Sequence, residues 1–283
     1  MKDEKGCGMS IFHYEFMQNA LLAGLLASIA CGIIGTLVVV NRIVFISGGI
    51  AHAAYGGIGL AFFLGFAPLL GVVGFAVAIS VVMALVSLKN KERADTIIGM
   101  LWAVGMAIGI LLIDLTPGHR LDLMSYLFGS ILAVPRSDLL IMAILNLAII
   151  SIVGFFYKDF LAMSYDDEFA ALMGVPTRSL YITLLVMIAF CVVIIIRMIG
   201  LILIIAFFTI APYIAERRSR SLSSMMIFSI LYNFIFTALG LWCSYMFNLT
   251  SGAAIIMVAA IFFFLSLLFR RLPRAERKGG AGA

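Results

Sequence analysis

His52 is the residue of this sequence best placed to do chemistry. Of the three histidines, His13 falls before the first long apolar stretch and His119 lies in a polar loop, whereas His52 sits inside an apolar run. An ionisable side chain at membrane depth is by default functional, and neutral imidazole is the commonest protein ligand for transition metals. Its bland alternative use is a helix-to-helix hydrogen bond. In a helix Gly48, His52 and Gly56 fall one above another on a single face, leaving the imidazole in a groove without neighbouring side chains. Gly49, Ala53 and Gly57 form a second stripe on an adjacent face, of the kind that lets helices pack closely. Ser47, Tyr55 and backbone carbonyls are the remaining local donors.

The elements that must hold these residues are membrane helices. The 283 residues are 64% apolar and only 12% charged, far from the roughly 45–50% and 25% of soluble domains. Apolar runs place spans at about 17–40, 44–65, 68–88, 95–115, 138–157, 179–197, 199–215, 224–246 and 252–270. The expected fold is all-α, a polytopic transmembrane bundle of about eight to nine spans. The runs are too long, and alternate too little, for the strands of a membrane barrel. A charged N-terminal segment 1–16 precedes the bundle without the pattern of a cleavable leader. The basic, then Gly/Ala-rich stretch 271–283 reads as a flexible tail.

Arg42, Lys89, Lys91, Arg93, Lys158, Arg178, Arg217, Arg218, Arg220 and the basic residues from Arg270 onward collect on one side of this bundle. Lys2, Lys5, Arg120, Arg136 and Arg197 fall on the other. The positive-inside rule then makes the C-terminus cytoplasmic. The net charge of +5 belongs to those loops and to anionic lipid headgroups, not to nucleic acid. Cys7, Cys31, Cys191 and Cys243 are scattered and read as packing residues, as do the 16 methionines. Trp102 and Trp242 read as packing or interfacial residues, and Pro212 as a bend in the seventh span.

The span interiors lack Asp, Glu, Lys and Arg except near their ends, at Asp95, Asp114 and Arg197, so no proton relay is evident. No G-x-x-x-x-G-K-[ST] phosphate loop occurs either. Energy must then come from a partner, and the surface to receive it is the polar stretch 165–176. Asp166, Asp167 and Glu168 suit a helix start, Gly174 and Pro176 a stop, and Phe169, Leu172 and Met173 share one face. Residue pattern alone leaves open whether this short helix docks a protein or lies on the headgroups.

Several segments carry a resemblance. The stretch Asp166–Pro176 looks like the coupling helix of importer permeases. Asn41 to Gly65, NRIVFISGGIAHAAYGGIGLAFFLG, resembles the second-helix signature of the metal-type ABC permease family of zinc, manganese and iron uptake systems. So do Asp95-Thr96-Ile97-Ile98-Gly99, Ser125 to Leu132 with Arg136-Ser137-Asp138, and Gly200 to Ala215 with Thr209-Ile210-Ala211-Pro212. These occur in the family's order from about residue 17 to 270.

The resemblance implies a type II ABC importer-like permease domain over 17–270 in the inner membrane of a prokaryote. This subunit would do no covalent chemistry and hold no permanent cofactor. It would work as a homodimer with two cytoplasmic ATP-binding subunits and an external metal-binding protein docking near 117–122 and 248–251. It makes 165–176 the ATPase contact and His52 the residue that touches a passing divalent metal. Relatives usually carry Asp four residues before this histidine; here the position is Gly48, which removes a charge-neutralising ligand and serves a hard cation such as manganese less well. A twofold could pair two His52 imidazoles for a borderline metal such as zinc. A metal chelate or another solute is the alternative cargo. An ion-gradient carrier using Asp95 or Asp114, and a non-transporting membrane scaffold, are the rival classes.

Overall fold

The computed structural model describes residues 15–89, 93–117 and 131–268. Most of the N-terminal segment 1–16, the His119 loop with residues 118–130, and the tail 271–283 lie outside the described residues. Helices α1 (Glu15–Val40), α2 (Val44–Ala53), α3 (Tyr55–Leu64), α4 (Pro68–Lys89) and α5 (Ala94–Asp114) make the first half. A short 3-10 turn, Ile131–Ala133, leads into α6 (Arg136–Phe155), α7 (Tyr157–Tyr165), α8 (Asp167–Leu172) and α9 (Thr177–Ile199). Then follow α10 (Leu201–Glu216), α11 (Leu222–Phe247) and α12 (Ser251–Leu268).

Seven spans among the described residues are long and apolar enough to cross a membrane, α2 and α3 counting together as one, and α9 and α10 supply shorter apolar stretches. Every expected span therefore coincides with helix, and the chain is a multi-pass helical membrane protein. Two details differ from the sequence reading. The segment 44–65 is two helices that meet at Ala54, where the Gly57 N–H bonds back to the Ala54 carbonyl in a tightened turn. The Gly56-Gly57 pair lies at this junction, the kind of place where helices depart from regularity. A separate helix, α7, also leads from the fifth span into the short helix α8.

The breaks follow local chemistry. Gly65 (φ 74°) closes α3 in the left-handed region, and Pro68 opens α4, the usual asymmetry of helix ends. Gly200 (φ 85°) is the whole connection between α9 and α10. Ser221 and Ser224 exchange side-chain and backbone bonds in a capping box that starts α11. Pro212 lies inside α10, which runs through it to Glu216.

The α1 helix and the α2–α3 span are central, with 72% and 78% of their apolar windows buried, against 22% for α5 and for α6. Small residues make the centre possible. Gly24 and Gly32 bring α1 against α11, where an added Cβ would lie 2.5 Å from atoms of Thr237 and Ile230 respectively. Polar side chains then tie neighbours together across this dry interior. Thr36 and Ser229 share a hydrogen bond of 3.1 Å between α1 and α11. Asn233 donates to the Phe207 carbonyl of α10, and Asn146 of α6 donates to the Leu26 carbonyl of α1. Cys31 of α1 and Cys191 of α9 are buried free cysteines.

Candidate functional site

The residues around His52 are set by two close helix approaches. Gly49 of α2 faces Ile98 of α5, where an added Cβ would fall 2.7 Å from Ile98 Cγ2. Further along, Gly105 of α5 faces Ala53, where an added Cβ would fall 2.8 Å from Ala53 Cα. Between these two points the helices are held together, and two rings lie stacked there. The His52 imidazole lies on the Trp102 indole with centroids 4.2 Å apart and planes 14° from parallel. Phe45, two turns earlier on the same face of α2, lies tilted to that indole with centroids 5.9 Å apart. Trp102 Nε1 donates to Met106 Sδ at 3.1 Å.

His52 is half-buried, and its Nδ1 is buried with no hydrogen-bond partner. A buried polar atom without a partner is uncommon and calls for an explanation. The groove expected beside His52 is therefore not free of side chains: Trp102 fills one side of it. From the sequence that indole reads as mere packing. The signal that could have placed it is the Gly105-x-x-x-Gly109 stripe on α5, which continues the face carrying Ile98 and Trp102 toward the glycine-rich α2–α3 span.

The other expected residues fall as follows. At Gly48 an added Cβ would meet only Ile205 of α10, at 3.7 Å, which is ordinary contact. Ser47 is buried, and its hydroxyl donates to the Val44 carbonyl of its own helix at 2.8 Å. Five residues from His52, it sits well round the helix from the imidazole. Tyr55 is buried at the start of α3. Gly56 faces the Phe75 ring of α4 and the Gly105 carbonyl of α5, and Gly57 faces the Gly71 backbone of α4. No group of three or more His, Cys, Asp and Glu that could hold a metal ion occurs among the described residues.

The second expected site lies at the end of the bundle where the Lys- and Arg-rich turns gather. Asn41 of the α1–α2 turn donates to Ser164 of α7 at 3.0 Å. A cavity of about 590 Å³ opens there, lined by Arg42, Asp95, Asp166, Asp167 and Tyr181 among others. Beside it, α8 is closed at both ends by its own sequence. The Asp166 carboxylate accepts from the Glu168 and Phe169 N–H groups at 3.1 and 2.9 Å. At the other end Gly174 (φ 87°) lets its own N–H bond the Ala171 carbonyl and the Val175 N–H bond that of Ala170, a complete Schellman pattern. Ala170 points inward, while Phe169, Leu172 and Met173 are 61%, 85% and 70% exposed. Asp166→Ala should cost the short helix about 1 kcal/mol. Faster amide exchange confined to residues 167–172, with the spans unchanged, would register that loss.

Residues 13–270 match the ABC 3 transport family. The membrane protein slr2045 of Synechocystis, itself uncharacterized, is 50% identical over 258 residues, which is 91% of this chain and 92% of that one. The manganese transport system membrane protein MntC of Listeria monocytogenes is 31% identical over 259 residues, 92% of each chain. Among solved structures, PsaBC from Streptococcus pneumoniae in complex with Fab gives a TM-score of 0.81 at 30% identity, over 92% of this chain and 93% of that one. A match that runs from the first span to the last leaves no part of the bundle unaccounted for, and the chain belongs to the ABC 3 transport family of metal-type ABC transporter permeases.

Proposed function

We propose that this chain is the permease subunit of an importer that moves a divalent transition metal, zinc, manganese or iron, across the inner membrane of a prokaryote by alternating access. The observation that carries the reading is α8, a capped helix at the end of the bundle with Phe169, Leu172 and Met173 turned outward. Three large apolar side chains on one short helix, fixed at both ends, suit a protein partner. Asp166, Asp167, Glu168 and Gly174 shape that helix for a cytoplasmic ATP-binding subunit, two copies of which would serve a permease homodimer. The C-terminus and the tail 271–283 are then cytoplasmic. The opposite end, around 117–122 and Asn248–Ser251, receives an external metal-binding protein.

His52 is the residue assigned to the cargo, since it combines a central helix, a half-buried imidazole and an unpartnered Nδ1. The sequence departure at Gly48 favours a second cargo, a metal chelate, because the face of His52 offers no carboxylate to neutralise a bare cation. No comparable observation favours an ion-gradient carrier, whose candidate residues Asp95 and Asp114 are exposed at the two ends of α5.

The test is uptake into proteoliposomes holding the permease, its ATPase and its binding protein, with Zn²⁺, Mn²⁺ and Fe²⁺ compared with and without ATP. ATP-dependent flux of one free metal, reduced at least tenfold by His52→Ala, is expected. Flux unaffected by that substitution would remove His52 from the path. Uptake of a chelate but of no free metal would select the second reading.

A further inference from the structure

We propose that Trp102 is a positioning residue for the metal step: its indole face orients the His52 imidazole and carries part of the charge compensation that no carboxylate supplies there. This role rests on the assignment of His52 to the cargo, and it adds a second residue together with the interaction through which that residue acts.

Charge sets the requirement. An imidazole that ligates a divalent cation becomes strongly electropositive, and in a membrane interior that charge needs a counterpart. The usual counterpart is a carboxylate, yet the helical position one turn before His52 is Gly48, and no cluster of acidic and metal-ligating side chains occurs among the described residues. What lies against the ring instead is the face of an indole, nearly parallel and 4.2 Å away. The face of an indole is the electron-rich part of its quadrupole and the strongest aromatic partner for a cation. Geometry on either side fixes the stack, because the Gly49–Ile98 and Ala53–Gly105 approaches clamp α2 to α5 just before and just after it. The ring plane of His52 is thereby set before any metal arrives, which lowers the ordering cost of ligation.

Gly48 supplies the decisive control. It faces α10 with ordinary room for a Cβ, the nearest neighbour of that atom being Ile205 Cδ1 at 3.7 Å. A carboxylate introduced there shares the His52 face of the helix. If the indole acts through charge, Gly48→Asp should make it dispensable. If the indole is only a spacer, the same change should make no difference to its removal.

The experiment measures half-saturating metal concentration for ATP-driven uptake of Zn²⁺, Mn²⁺ and Fe²⁺ in the complete transporter. Trp102→Leu should raise it about tenfold and Trp102→Phe about threefold, with the maximal rate and melting temperature held. In a Gly48→Asp background Trp102→Leu should change it less than twofold. A direct reading comes from Trp242→Phe, which leaves Trp102 as the sole tryptophan of the two. Zn²⁺, which is d¹⁰ and has no redox chemistry of its own, should then shift the Trp102 emission, and His52→Ala should abolish the shift. Unchanged half-saturation in Trp102→Leu would overturn the proposal while leaving His52 in the path. An equal loss with and without the Gly48→Asp substitution would do the same. If Trp102→Leu does not fold, the Phe variant and the Zn²⁺ emission shift decide alone, and a metal-insensitive emission counts against the proposal. Full uptake by His52→Ala would instead remove the site on which both readings stand.

Discussion

Gly57→Ala will destabilise the permease severely, whereas Gly48→Ala, earlier in the same span, will be tolerated. Either substitution replaces a poor helix former by the best one, a gain of about 1 kcal/mol if nothing else changes. What differs is the space. A Cβ on Gly57 would be driven onto the Gly71 carbonyl of α4, with the Gly71 carbonyl carbon at 2.8 Å. Those atoms are backbone and cannot swing aside as a side chain can, so α3 and α4 must separate along their contact. Overpacking of this kind costs about 3 kcal/mol or more, roughly a 6–12 °C fall in melting temperature for a chain of this size. Gly48→Ala meets only Ile205 and should melt within about 2 °C of the parent. Thermal unfolding of the purified detergent complex, followed by loss of the monodisperse peak, separates the two cases. Equal melting temperatures would show that α3 and α4 are not locked through Gly57.

The same contact ties stability to transport. Gly59 lies against the Gly109 carbonyl, and an added Cβ on Gly109 would lie 2.6 Å from the Tyr55 carbonyl oxygen, so α3 meets α5 backbone to backbone and α4 through both the Gly71 backbone and the Phe75 side chain. Displacing α3 at Gly57 pulls on α2, which ends just after His52, and on the α5 face that carries Trp102. Gly57→Ala should therefore lose uptake and stability together, while His52→Ala should lose uptake with its melting temperature intact.

How much of this was legible in the sequence depends on which interaction sets each feature. The spans were readable because lipid exposure forces long apolar runs, and the end of α8 was readable because Gly174 answers a local backbone need. The short helix after residue 165 was visible for the same reason: its cap, its stop and its exposed apolar face all lie within a dozen residues. The break at Ala54 was not, since neither Ala54 nor its neighbours Ala53 and Tyr55 is a glycine or proline that would end a helix. Nor was the His52–Trp102 stack, which joins residues from two spans and requires the register of α2 on α5. Helical spacing sets Gly48 one turn before His52, but Gly56 lies beyond the break at Ala54, and spacing contains no information about the neighbouring helix, which supplies the ring that fills the groove. The partners of the polar residues Asn146 and Asn233, the Leu26 and Phe207 carbonyls, are evident only from the packing.

Leu172→Asp combined with Phe169→Asp will leave the permease folded and strip it of its ATPase. Both side chains are exposed, at 85% and 61%, and neither contributes to the cap that Asp166 and Gly174 build, so the isolated permease should melt as before. A partner that covers them gains about 1.5 kcal/mol or more from each. Removing two such contacts costs at least about 3 kcal/mol, roughly a hundredfold in affinity, before the expense of burying two carboxylates is added. ATP-driven metal uptake should fall to background and the ATPase should no longer co-purify. Charge reversal at Asp167 and Glu168 touches the rim of the same surface and should weaken association less, with a stronger dependence on salt. Ala170→Asp is the control for local damage: Ala170 is inward-facing, so that change should disturb α8 itself and register in amide exchange. Normal co-purification of the ATPase with the Leu172→Asp, Phe169→Asp protein would show that power enters the bundle elsewhere. The remaining candidate surface would then be the neighbouring cavity between Arg42, Asp95 and Tyr181, and not the helix beside it.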